Sequence, residues 1–185
     1  MASSEKNHEN PMSVRSKNAL GTALLKLLIT RELEDVAIQD ITKKAGLSRQ
    51  TFYTNFREKE DILVYLVSGL FARYRERLDN ERPGGEGFLI DYFMFWGESR
   101  EFLSLLFRRG KGGIFQEANR HFFEAGGLPK SLISVSDEDE PYVRAGLAGM
   151  TYELLYIWMT RDLGLSVSAL SALSSRLFSG ELFRE

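Results

Sequence analysis

From Ala19 to Leu28 the residues Ala19, Leu20, Ala23, Leu24, Leu27 and Leu28 recur at spacings of three and four. All six therefore fall on one stripe of a helix. The helical period returns in "FLIDYFMFWGE", "REFLSLLFRR", "IFQEANRHFFEA", "YVRAGLAGMTYELLYIWMTRDL" and "SVSALSALSSRLF". Nowhere does a period-two alternation persist for the length of a strand. The predicted fold class is all-α.

A chain of 185 residues makes one compact unit or two small ones. With 43% apolar and 27% charged residues it has the composition of a soluble globular protein. It has no cysteine, which excludes disulfides, thiolate metal sites and a cysteine nucleophile, and fits a reducing, cytoplasmic setting. The opening "MASSEKNHENPMS" lacks the apolar core of a secretory signal and reads as a loose tail. No apolar run reaches the roughly 18 residues of a membrane span.

Candidate reaction chemistry is sparse. His8 and His121 are the only histidines. His121 has Glu117 and Glu124 at helical spacing but lacks the further ligands a metal needs. "GKGG" at 110–113 is too short for a phosphate loop. The "DEDE" run at 137–140 precedes a helix and suits its dipole. The expectation is a protein with no cofactor, no metal and no enzymatic activity.

Charge is informative where it is uneven. The net charge of −2 argues against a general polyanion binder. Residues 1–60 nevertheless carry ten Lys/Arg against eight Asp/Glu, and Ile41 to Arg57 holds Lys43, Lys44, Arg49 and Arg57 with no acid. A basic patch on an acidic body points toward nucleic acid.

That patch contains a sequence of caps. Ser13 or Ser16 is placed to cap the first helix. "IQDITKKAG" is a short second helix with Ile38, Ile41 and Ala45 inward, and Gly46 suits the left-handed residue past its end. Leu47 then enters the core, and Ser48 caps a third helix by accepting from the Thr51 N–H. A fourth helix starts near Lys59 and runs to about Asn80, with Glu60 and Asp61 in its first turn. "ERPGGEG" breaks the chain after it. Later turns carry Gly110, Gly112 and Gly113, then "GGLP" at 126–129, then Gly164.

With Phe52 and Phe56 turned to the core, Gln50 and Thr54 point away, flanked by Thr51 and Tyr53. A short helix after a three-residue turn, polar over most of its surface, is the form of a helix-turn-helix reader. Gln pairs with adenine, Arg with guanine, and a Thr methyl meets the thymine methyl. Tyr53 and Lys59 are expected to reach phosphate, helped by N–H groups at the fourth helix's start. The competing account is a solvated polar face with no partner.

"IQDITKKAGLSRQTFYTNFREKEDIL" resembles the DNA-binding domain of TetR/AcrR-type transcription regulators, in a branch common in Gram-positive bacteria. Ile41, Ala45-Gly46-Leu47-Ser48, Thr51, Tyr53, Phe56, Lys59, Glu60 and Leu63 carry the likeness, over roughly residues 13–65. The pattern departs at Ala37, Thr42 and Asn55, where family members often have Thr, Ala, and His or Tyr. The resemblance implies a helix-turn-helix domain at 13–58 and a helical effector-binding and dimerisation domain at 59–185. It implies DNA contacts from Lys43, Ser48, Arg49, Gln50, Thr51, Tyr53, Thr54, Asn55 and Lys59. The partner expected is a palindromic double-stranded operator. The function expected is transcriptional regulation, by a repressor that a small molecule releases. A helical dimer acting as a coregulator without its own operator is the alternative.

Nineteen of the 22 aromatic residues follow residue 60. Tyr92, Trp96, Phe107, Phe122, Tyr152, Tyr156 and Met159 are the expected lining for an apolar or aromatic effector, with plain core packing as the competing account. Gly146 and Gly149, which permit close helix approach, and the stripe Leu170, Leu173 and Leu177 are the expected homodimer interface. Packing within one chain competes with that reading.

Overall fold

The computed structural model describes residues 10–81, 85–128, 134–161, 164–179 and 181–182. Residues 1–9, with His8, lie outside the described residues, as do the centre of "ERPGGEG", Pro129 and 131–133. Every regular element among the described residues is a helix. The chain divides into two compact units, Met1–Leu66 and Val67–Glu185.

In the first unit α1 is Pro11–Leu28, α2 Ile38–Ala45 and α3 Arg49–Asn55, and α4, Lys59–Glu81, begins there. Asn10, not Ser13 or Ser16, caps α1: its side chain accepts from the Met12 N–H at 3.0 Å, and Pro11 fills a position that needs no N–H. Ser13 and Ser16 sit inside the helix, where the Ser16 hydroxyl donates to the Met12 carbonyl. Leu20, Ala23, Leu24 and Leu28 are buried, and Ala19 and Leu27 flank them half-buried. Leu33, Val36, Ile41, Phe52, Phe56, Ile62 and Leu63 complete this core. Ile38, Ala45 and Leu47 are half-buried at its edge. Gly21 marks a close approach, since a Cβ there would lie 2.9 Å from a Leu66 methyl. Gly46 ends α2 at φ 67°, a conformation that a side chain would strain.

The second unit contains the remainder of α4 with α5 (Gly85–Glu98), α6 (Arg100–Arg108), α7 (Gly112–Glu124), α8 (Glu140–Thr160) and α9 (Val167–Phe178). Gly112 and Gly113 open α7 instead of forming a turn. Gly110, Gly126 and Gly164 do turn, each with positive φ. α7 packs on α8, and α9 on α5. Arg144 of α8 locks the end of α7: its guanidinium donates to the Phe123 and Leu128 carbonyls at 3.0 and 3.1 Å. Glu140 neutralises it at 2.6 Å, so the buried cation is both paired and hydrogen-bonded.

Candidate nucleic-acid interface

The helix α3 has one apolar edge. Phe52 is fully buried and Phe56, just past the end, nearly so, their rings 6.1 Å apart. Arg49, Gln50, Tyr53 and Thr54 are exposed on the rest of its surface, Tyr53 at 57%. The Ser48 hydroxyl accepts from the Thr51 N–H at 3.0 Å and sits 2.8 Å from the Thr51 hydroxyl, so this cap forms as the sequence predicts. Thr54 donates its hydroxyl back to the Gln50 carbonyl at 2.9 Å. No hydrogen bond or ion pair holds the side chains of Arg49, Gln50 and Tyr53 among the described residues, so they remain available to a partner.

Three predicted contacts are placed differently. Asn55 is half-buried, its amide donating to the Thr51 carbonyl at 2.7 Å while its oxygen accepts from the Ser13 hydroxyl at 2.7 Å. It ties α3 to the first turn of α1. Lys59 does not reach outward: its ammonium donates to the carbonyls of Leu33, Glu34 and Val36. Lys43 is exposed, but it lines an open hollow of ≈ 320 Å³ with Leu27, Arg31, Asp40 and Lys44, to which α3 contributes no lining residue. Arg31 pairs there with Asp40 at 2.9 Å, and Asp40 also accepts from the Ala37 N–H at the start of α2.

The sequence reading missed the Ser13 bridge, because nothing local marks a residue 42 positions from its partner. It saw Asp61 only as a dipole charge. Asp61 in fact accepts from the Arg57 and Glu58 N–H groups at 2.8 and 3.2 Å. Partial burial raises its pKa, but those two donors and the Arg57 charge outweigh it, holding the carboxyl below its ordinary value. The spacing Arg57-to-Asp61 was the available signal.

Residues 22–66 match the model described as bacterial regulatory proteins, tetR family. The match spans Gly46, Ser48 and the whole of α3. Over residues 22–66 the chain is thus similar to the tetR family. Among curated relatives, the regulator EthR of Mycolicibacterium smegmatis is 38% identical over 55 residues, 30% of this chain and 25% of that protein. The uncharacterised regulator YwcC of Bacillus subtilis is 42% identical over 43 residues, 23% of this chain and 19% of that protein. The match thus spans a quarter or less of the curated relatives' length. Lin0861 of Listeria innocua superposes with TM-score 0.80 at 16% identity, over 94% of each chain. Thermus thermophilus FadR, a TetR-family repressor solved with lauroyl-CoA, superposes with TM-score 0.56 at 22% identity, over 91% of this chain and 96% of that one. These likenesses carry the all-helical fold across nearly the whole chain.

In the second unit the predicted aromatics join one ring cluster. Trp96 lies 5.8 Å from Tyr92 and 4.9 Å from Phe115; Phe107 lies 5.8 Å from Phe115 and 6.0 Å from Tyr152. Phe122 joins through Phe71 and Tyr74 at 5.5 and 5.4 Å. Tyr92, Trp96, Phe107, Phe122 and Met159 are buried, Tyr152 is half-buried and Tyr156 is exposed at the rim. The Tyr92 hydroxyl donates to the Asn119 oxygen at 2.8 Å, and the Asn119 amide donates to the Ala148 carbonyl and the Thr151 hydroxyl at 2.9 and 3.1 Å. Burial pushes the Tyr92 hydroxyl's pKa far up, so it stays protonated. Trp96 Nε1 and Tyr74 Oη are buried with no hydrogen-bond partner among the described residues.

Two further expectations divide. Gly146 and Gly149 are exposed and face open space on α8, in a stripe with exposed Tyr142, Glu153 and Tyr156. Leu170 is buried in its own chain, because α9 turns Leu170, Ser171 and Ser174 inward; Leu173 and Leu177 are half-buried. His121 is exposed, and Arg120 binds both neighbouring carboxylates, Glu117 at 2.5 Å and Glu124 at 2.6 Å. Among the described residues no helix is long and apolar enough to cross a membrane, and no acid–histidine group is arranged for a metal.

Proposed function

We propose that this chain is a sequence-specific DNA-binding transcriptional regulator that acts in the cytoplasm as a homodimer on a palindromic operator. One observation carries the reading: α3 buries a single aromatic edge and leaves Arg49, Gln50 and Tyr53 exposed, with no hydrogen-bond or ion-pair partner for their side chains among the described residues. Guanine and adenine edges, phosphate, and thymine methyls from Thr51 and Thr54 are the complements of that set. A second copy is needed because two recognition helices reach successive major grooves roughly 34–36 Å apart. The exposed stripe of α8 around Gly146 and Gly149, with Leu173 and Leu177 at the edge of α9, supports the pairing face.

Repression with release by a small molecule is the proposed mode. The aromatic cluster supports an apolar or aromatic effector, entering at the Tyr152–Tyr156 rim. The buried Trp96 N–H supports an effector that brings an acceptor oxygen. The lauroyl-CoA bound to Thermus thermophilus FadR is a molecule of that chemistry.

The test is a titration of DNA from upstream of the chain's own gene against a scrambled duplex, with sedimentation of the free protein and the complex. The expected result is selective binding by a two-chain species. Equal affinity for both duplexes, or a single chain at working concentration, would sink the proposal.

A further inference from the structure

The connection between α1 and α2 presents three main-chain oxygens to one side chain. Lys59 Nζ donates to the Leu33 carbonyl, and to those of Glu34 and Val36 at 3.1 Å each. An ammonium has three donors, so all three are engaged by one short segment. That segment is itself fixed: Leu33 and Val36 bury their side chains at 0% and 1% exposure, and the Val36 N–H donates to the Leu33 carbonyl at 3.2 Å. The next residue, Ala37, is the N-cap of α2.

We infer that Lys59 is a positioning residue: it clamps the first turn of α4 to the segment that launches α2, and acts on DNA through α2 and α3 without touching phosphate. This rests on reading α3 as the DNA reader. To meet a phosphate, the ammonium would abandon three carbonyls that its own fold supplies. The chemistry also specifies lysine. A compact ammonium with three diverging donors meets three carbonyls of one turn, which the flat fork of a guanidinium does not.

The experiment uses the full chain, Lys59→Met and Lys59→Arg, at a temperature where circular dichroism shows all three folded. The probes are a duplex that the wild type selects from a randomised pool and a scrambled duplex, each titrated across a salt series. Both variants are expected to lose about ten-fold on the selected duplex, the equivalent of one base contact. The scrambled duplex and the salt slope should be unchanged. A general loss of stability would not move the ratio of selected to scrambled binding in a fully folded protein. A salt slope lowered by about 1 in Lys59→Met, with Lys59→Arg binding as wild type, is the mark of a phosphate contact and overturns the inference. Wild-type binding by both variants overturns it as well. If the wild type selects no sequence, the reading of α3 has failed, and hydrogen exchange at residues 33–37 decides the clamp. Faster exchange in Lys59→Met upholds it; an unchanged rate overturns it.

Discussion

The exposed face of α3 and the interior around Tyr92 both set polar atoms among aromatic rings, and they dispose of them in opposite ways. Around Tyr92 the hydroxyl, the Asn119 amide and the Thr151 hydroxyl close on one another and on the Ala148 carbonyl. On α3, the side chains of Arg49, Gln50 and Tyr53 have no hydrogen-bond or ion-pair partner among the described residues. A buried polar group left unanswered costs about 1–3 kcal/mol, so an interior must satisfy nearly all of them. An exposed one is answered by water, which a partner can displace. The same residue types thus hold one region together and leave the other ready to bind.

Four measurements break or sharpen that contrast. Arg144→Met should cost the most, on the order of 3 kcal/mol by denaturant titration, because Glu140 and two carbonyls lose a buried partner. Operator affinity in the folded variant should hold. Gln50→Ala should do the reverse: unfolding should change by less than about 0.5 kcal/mol. Binding should weaken by about 1–3 kcal/mol at one base pair. Uniform weakening on all sequences would remove Gln50 from the base readers. Ser48→Ala should cost about 1 kcal/mol of stability through the lost cap.

The smallest effect concerns Asp61. Its carboxyl sits below its ordinary value in the folded chain, so its contribution is present above the unfolded value, near 3.8, and is lost as pH falls through the folded one. Asp61→Asn should therefore flatten the acid limb of stability against pH and leave neutral DNA binding unchanged. An acid limb identical to wild type would show that the two backbone donors do not select the charged form.

Much of the fold was legible because its signals are local. The period of three and four set the helices, and Gly46 and Ser48 announced their own backbone roles. The outward set on α3 followed from where Phe52 and Phe56 must go. What failed was decided by distance or by choice among similar residues. Ser13 looked like a cap because it is a serine near a helix start, yet Asn10 takes that place and Ser13 meets Asn55 instead. Lys59 looked like a phosphate ligand because a lysine at a helix start has room to extend. Only the folded path of residues 33–36 shows three carbonyls waiting for it. Leu170 and Leu173 share a spacing pattern that cannot separate own-chain burial from a second copy, and packing against α5 turned the first inward.

The 2.7 Å bridge from Ser13 to Asn55 has a practical corollary. α3 is braced from the opening turn of α1, so purification tags or trimmed starts that unwind that turn would loosen the far end of α3. Assays of sequence preference should therefore compare an untagged chain with a tagged one.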